Sequence, residues 1–324
     1  MSYWFQDPGI KALLPLATAN SIKGLRTTFS TPAFIMGFNV FPEGISIGPS
    51  TADVIGARCP KKRAFVVADE FSNQFAKKVA EYFMANGFTT EIWPKALPEV
   101  PIENVKECAS AMTAFEPDVI IAVGGGSVMD SAKAAWILYE HPEFDDLGAL
   151  VNPLIMLGLR KKAFLVAVPT TSGTGSECTP VSVLHDTATH RKVPIANAEL
   201  LPDMAILVPE FTVSMPPKLT AGTGLDVLAH AMDGIVTPAA NEFTDAMGLT
   251  AIKMAFKYLP RAYKNGKDHE ARYRMIIAAS AAGICFGQNA AALTHSLGHS
   301  IGSMFNIHHG LSVGMLIPYH ACLP

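Results

Sequence analysis

Residues 118–136 read DVIIAVGGGSVMDSAKAAW. Val119 to Val123 is an unbroken apolar run, as a strand buried on both faces requires. Gly124, Gly125, Gly126 and Ser127 follow at once, and a helical pattern, DSAKAAWILYE, begins without a gap. A strand passing through glycines into a helix is the turn from which open α/β sheets are built. Ser127 with Asp130 three residues on predicts a capping box at the helix start.

The same grammar repeats outward from this unit, from about Lys62 to Pro209. AFVVAD (64–69), TTEIW (89–93), FLVAVP (164–169) and PVSVLH (180–185) read as further strands. Between them, Phe75, Val79, Tyr82 and Phe83 mark one helical face, capped by Ser72 and ended by Gly87. Ile102, Val105, Ala109 and Met112 mark another, stopped near Pro117. Strands alternating with helices predict a mostly parallel sheet covered on both sides. After PEFTVSMPP (209–217) the apolar spacing becomes three and four, and strand signals almost vanish. The expected division is an α/β dinucleotide-binding domain over 1–215, with an N-terminal arm at 1–30, and an all-helical metal-binding domain over 216–324.

Composition agrees. A chain of 324 residues with 49% hydrophobic and only 16% charged residues can bury large cores and is not disordered. A formal net charge of −3 gives no reason to expect nucleic acid or an anionic membrane as partner. Five scattered cysteines without a C-x-x-C predict free thiols in a reducing compartment. The run ALLPLATA after Lys11 imitates a signal peptide, but Pro15 interrupts it and Asp7 precedes it. No apolar run reaches the length of a membrane span, and the expected location is the cytoplasm.

Two sets of residues carry chemistry. The glycine loop lets backbone approach a diphosphate at a helix N-terminus. It is neither G-x-G-x-x-G nor a Walker A sequence, and alone it is weak. Asp69, at the end of AFVVAD, is a candidate ribose-binding acid that precedes the glycines instead of following them. A second loop, PTTSGTGSE (169–177), offers Thr170, Thr171, Thr174 and Ser176 as hydrogen-bond donors. All three features fall at carboxyl ends of expected strands, where such sheets bind ligands.

The second set lies in the helical half: Asp226 and His230 in GLDVLAHAMD, His295 and His299 in LTHSLGHSIG, and His309 in NIHHG. Each pair is four apart and shares one helix face. Apolar neighbours (Val227, Leu228, Leu293, Leu297, Ile301) predict that both helices run through the interior. A lone buried histidine is ordinarily a hydrogen-bonded core residue, but two such pairs and a His-Gly turn point to a divalent metal.

The ordered set GGGSVMDSAKAAW, AVPTTSGTGSE, LTAGTGLDVLAHAMD and HHGLSVGMLIP resembles the iron-containing (group III) alcohol dehydrogenase family, from roughly Ile45 to Pro318. The resemblance implies Asp226, His230, His295 and His309 as metal ligands, with Fe2+ expected and Zn2+ compatible. It implies His299 as a proton relay beside the nicotinamide, and Gly125, Gly126 and Ser127 as the pyrophosphate loop. Thr170, Thr171 and Ser176 fall in the second NAD-binding loop, Lys192 near the nicotinamide ribose, Asp69 on the adenosine ribose, and Phe286 on the wall of the substrate cavity. His308 reads as an exposed loop residue, and His185 and His190 as parts of a surface turn. The implied activity is NAD(H)-dependent hydride transfer between a metal-bound primary alcohol or aldehyde and the nicotinamide, by a homodimer or higher oligomer.

Two alternatives stay open: a dehydroquinate synthase-like metal- and NAD-dependent lyase, and a truncated, non-catalytic metal-binding protein. Apolar residues around the ligands (Phe286, Ala291, Leu293, Met304, Phe305) favour an uncharged substrate over the phosphorylated acid of a lyase. The chain stops at Pro324, where members of the resembled family continue through further helices. The expectation is some exposed apolar surface on the metal-bearing helices.

Overall fold

A computed structural model describes residues 30–41, 50–144, 147, 157–189, 191–237, 239–289, 293–305 and 307–321. Apart from Ser30, the expected N-terminal arm lies outside the described residues, as does His190.

The strands are β1 (Ala33–Met36), β2 (Arg63–Val67), β3 (Thr89–Trp93), β4 (Val119–Gly124), β5 (Phe164–Pro169), β6 (Val181–Asp186), β7 (Arg191–Ala196) and β8 (Met204–Leu207). Six of them form one parallel sheet in the order β1-β8-β5-β4-β2-β3. The helices of this half are α1 (Thr51–Gly56), α2 (Asn73–Ala85), α3 (Ile102–Phe115) and α4 (Gly126–Glu140).

Alternation along the central strands sends successive side chains to opposite faces. Phe65, Val67, Ile120 and Ala122 pack with α3 and α4 on one side. Ala64, Val66, Val119, Ile121 and Val123 pack with α1 and α2 on the other. Both faces are therefore buried, which is why β4 can be apolar throughout.

The second half is helical: α5 (Pro217–Val236), α6 (Glu242–Lys264), α7 (His269–Asn289), α8 (Leu293–Phe305) and α9 (His309–Ala321). An N-terminal α/β domain followed by an all-helical domain is the expected fold class. Val227, Ala251, Ala255, Ala278 and Ala282 make the shared core of α5, α6 and α7. Small side chains there let the helices approach closely.

Several local expectations are corrected. PVSVLH is a strand, but it pairs antiparallel with β7 in a separate two-stranded ribbon. His185 consequently sits within β6, opposite Lys192, and not in a turn. β1 and β8 gave no usable signal because each is only four residues long. Ser72 holds the N-cap position of α2 but supplies no side-chain cap: its backbone is already helical, and its hydroxyl donates to Asp69 Oδ1 at 2.7 Å. Nor do Ser127 and Asp130 form a capping box. The helix starts one residue before Ser127, with Gly125 as its cap, and Asp130 turns inward to Ser176 and Val183.

The ligand helices also differ from each other. α5 is buried along most of its length, whereas Leu293, Leu297, Met304 and Phe305 of α8 are exposed among the described residues. Among the described residues of α8, Thr294, His295 and Gly298 are the buried ones, so its apolar neighbours did not signal an interior helix. Among the described residues no single helix is long and apolar enough to cross a membrane.

Candidate active site

Asp226 and His230 stand one turn apart on α5, and His295 reaches them from α8. Candidate ligand atoms of these three buried residues lie within 4.8 Å of one another. Asp226 Oδ1 is the hub. His230 Nδ1 is 3.7 Å away, His295 Nε2 3.6 Å and His309 Nε2, from the start of α9, 3.5 Å. These gaps are too long for good hydrogen bonds. Among the described residues, Asp226 Oδ1, His230 Nδ1 and His295 Nε2 are buried with no hydrogen-bond partner. Leaving such groups unpaired costs about 1–3 kcal/mol each. Four tetrahedral donors at about 2.0–2.2 Å from a cation stand roughly 3.4 Å apart, close to the spacing seen. One carboxylate with three imidazoles also suits iron or zinc chemically, so these residues fit a divalent metal.

Electrostatics follow the geometry. Burial alone would raise the Asp226 carboxyl, but His230, and then His295 and His309, hold it well below the usual range. Burial pushes the His230 ring down to about 3, keeping it neutral as a ligand must be. Burial also works against charge on His295, yet Asp226 and Asp233 outweigh it and lift that ring to about 9. Phe286 stacks on His230 with centroids 4.1 Å apart and planes within 10°. His299 lies beside the cluster but outside it, its ring 4.7 Å from that of His309. Although its surface stays partly open, crowding by protein, then His309 and His295, lowers its ring to about 4. His308 is exposed and rests on Gly222.

Sequence reasoning missed Asp233. It is fully buried, and its Oδ2 lies 2.8 Å from His295 Nδ1. Its position, seven residues after Asp226 and on the same face of α5, was the available signal.

The glycine and threonine loops adjoin one another at the carboxyl ends of β4 and β5. Thr170 N donates to Gly124 O at 2.9 Å. A Cβ on Gly126 would stand 2.8 Å from Thr174 Cγ2, and one on Gly125 3.4 Å from Thr171. A side chain at Gly126 would thus crowd the second loop where the two meet, and the exposed backbone at the start of α4 is a cradle suited to a diphosphate. Ser127 lies in the first turn of that helix. The Ser172 hydroxyl in the second loop, missed in the sequence, is buried and unpartnered among the described residues.

Ser176, by contrast, is turned inward. Its hydroxyl donates to Asp130 Oδ1 at 2.8 Å and accepts from Lys133 Nζ at 2.9 Å. Lys133, fully buried, also donates to the carbonyls of Ser176, Thr179 and Val181, each at 2.8 Å. Burial lowers its ammonium to about 8. Lys133 and Ser176 therefore hold the second loop against α4.

That loop reaches the helical half as well. Glu177 accepts from Ser280 of α7 at 2.7 Å. Gly175, left-handed at φ +62°, meets Gly283 of α7 so closely that a Cβ would stand 2.6 Å from Gly283 Cα.

Asp69 accepts from the backbone and hydroxyl of Ser72 through Oδ1, at 2.6 and 2.7 Å. Lys192 projects from β7 and pairs with Glu99, a residue with left-handed backbone at φ +66°. The Glu99 carboxyl is lowered chiefly by Lys192, then by His185 and His309, so this pair lies toward the metal cluster.

The family profile for iron-containing alcohol dehydrogenases matches residues 42–209, and the C-terminal profile of that family matches residues 220–322. The chain belongs to the iron-containing alcohol dehydrogenase family. It is 41% identical over 268 residues to the bifunctional aldehyde-alcohol dehydrogenase AdhE of Escherichia coli (strain K12), covering 79% of this chain and 30% of that protein. It is 40% identical over 247 residues to the NADPH-dependent butanol dehydrogenase of Clostridium saccharobutylicum, covering 76% of this chain and 62% of that one. The chain thus spans less than two thirds of the length of either relative. Its fold matches the crystal structure of sulfoacetaldehyde reductase from Bifidobacterium kashiwanohense in complex with NAD+. The TM-score is 0.81 at 28% identity, over 92% of this chain and 77% of that one.

Proposed function

We propose that this member of the iron-containing alcohol dehydrogenase family interconverts a small primary alcohol and its aldehyde, using NAD(H). The observation that carries the reading is the convergence of buried, unpartnered atoms of Asp226, His230 and His295 on one point, with His309 completing the set. These four residues would hold a divalent cation, Fe2+ by the family's description. Bound there, the cation supplies Lewis acidity toward an alcohol or aldehyde oxygen. A bound nicotinamide would supply or accept the hydride.

The remaining roles belong to the chain. Gly125, Gly126 and Ser127 would receive the pyrophosphate at the start of α4, with Thr170 and Thr171 beside them. Ser176 would act through the loop it supports. Asp69 has Oδ2 left for a ribose hydroxyl, which favours NAD over NADP. Lys192 would face the nicotinamide ribose. Phe286, stacked on His230, would wall the space beside the metal and exclude water. His299, with its ring lowered to about 4 and partly open to solvent, would take the alcohol proton outward. The division at residue 215, a cytoplasmic location and a homo-oligomer belong to the same proposal.

The test is NADH formation by the anaerobically purified, Fe2+-loaded protein with ethanol, 1-propanol and 1-butanol. Turnover that vanishes on chelation and returns with Fe2+ is expected. A protein that stays inactive on alcohols while turning over a phosphorylated keto acid would be a lyase instead.

A further inference from the structure

We propose that Asp233 is a positioning residue for the metal centre, fixing the tautomer and orientation in which His295 presents Nε2 to the cation. Asp226, His230 and Asp233 occupy positions i, i+4 and i+7 of α5, so one stripe of one helix bears two candidate ligands and this carboxylate. Asp233 Oδ2 lies 2.8 Å from His295 Nδ1 and accepts the backbone N–H of the same residue at 3.2 Å. Two contacts to one residue fix both the ring and the chain that carries it. A ring nitrogen bonded to a carboxylate keeps its proton, which leaves the lone pair on the other nitrogen. That other atom is Nε2, the one lying 3.6 Å from Asp226 Oδ1.

The second oxygen widens the role. Oδ1 accepts the Thr294 N–H at 3.4 Å and stands 3.1 Å from His320 Nδ1 on α9. One carboxylate therefore touches α5, α8 and α9, which between them carry all four candidate ligands. With zero exposure, Asp233 has no water to replace any of these partners.

A purely structural role, as cap of α8, makes a different prediction. Capping needs only an acceptor for backbone N–H groups, and asparagine supplies one. Ring orientation needs the carboxylate. The amide of an asparagine can donate to Nδ1 and so place the proton on Nε2, where a metal cannot then bind.

The proposal rests on the metal reading above, and the experiment separates the two. Zn2+ affinity of wild type and Asp233→Asn is measured by competition with a chromogenic chelator, beside thermal unfolding of both metal-free proteins. The expected result is Zn2+ affinity of the folded protein weakened about 10- to 100-fold, together with some loss of metal-free stability from the broken ion pair with His295. Equal affinities would overturn the role of Asp233 and leave the metal site standing. No Zn2+ binding by wild type would remove both. Should Asp233→Asn fail to fold, 15N spectra of zinc-loaded wild type decide. His295 protonated on Nδ1 supports the proposal, and metal on Nδ1 overturns it.

Discussion

Gly310 packs backbone to backbone on Gly222: a Cβ on Gly310 would stand 2.0 Å from the Gly222 carbonyl oxygen. His309 immediately precedes this contact, and the approach of α9 to α5 is what lets its ring come within 3.5 Å of Asp226. Gly310→Ala must push the two helices apart. We expect a loss of about 1–3 kcal/mol in stability, as for other overpacked sites, with markedly weaker metal binding. Thermal unfolding and metal analysis check both. Wild-type metal content in a destabilised variant would mean that His309 is placed by something else.

The four candidate ligands should behave as one site. Asp226→Ala and His309→Ala are each expected to empty the metal and abolish turnover, while His308→Ala retains metal near the wild-type level. His299→Ala should keep its metal but lose rate, since its ring stands beside the cluster and not in it. Elemental analysis with parallel assays distinguishes the three classes. Loss of metal from His308→Ala but not from His309→Ala would invert the assignment.

Lys133 invites a stability test. Its ammonium donates to three backbone carbonyls and to Ser176 while fully buried. Lys133→Met keeps the bulk but strands those acceptors and removes the stronger of the two ammonium groups that act on Asp130. Removing one partner of a buried charge typically costs about 3–5 kcal/mol. Urea unfolding should reveal a loss of that order, with weaker NADH binding because the second loop loosens. A change under 1 kcal/mol, roughly the worth of an exposed pair, would show the cluster to be dispensable.

On the proposed function, cofactor choice is expected to turn on Asp69. The carboxylate would face the extra phosphate of NADP, and like charges a few Å apart repel by roughly one to several kcal/mol. About 1.4 kcal/mol is one decade, so a preference for NAD of about tenfold or more is expected. Asp69→Gly should weaken NAD use and relieve the discrimination. The bonds from Ser72 to Oδ1 add a second expected effect, a loss of ~1 kcal/mol from the start of α2. Lower stability with an unaltered NAD/NADP ratio would confine Asp69 to the capping role.

Much of this was legible because its signals are local. The strand, glycine turn and helix at 119–140 follow one another directly, and the paired ligands lie one helical turn apart. What the sequence hid depends on partners remote in the chain. β1 is a strand only because β8, some 170 residues on, supplies its hydrogen bonds. Ser176 looked like a phosphate donor until Lys133 and Asp130 claimed its hydroxyl. Leu293 and Leu297 carry an apolar pattern, but period alone cannot say whether a helix face meets protein or solvent.

α7 touches both halves of the site within a single turn: Gly283 meets the cofactor loop at Gly175, and Phe286 stacks on His230. Three helical residues advance about 4.5 Å, a distance fixed by backbone hydrogen bonds instead of by any linker. The helix is a ruler between the loop proposed to receive the cofactor and the residues proposed to hold the cation. Loops elsewhere can lengthen or shorten without disturbing that gauge. One residue inserted between Gly283 and Phe286 would turn the phenyl ring away by about 100° and break the measure.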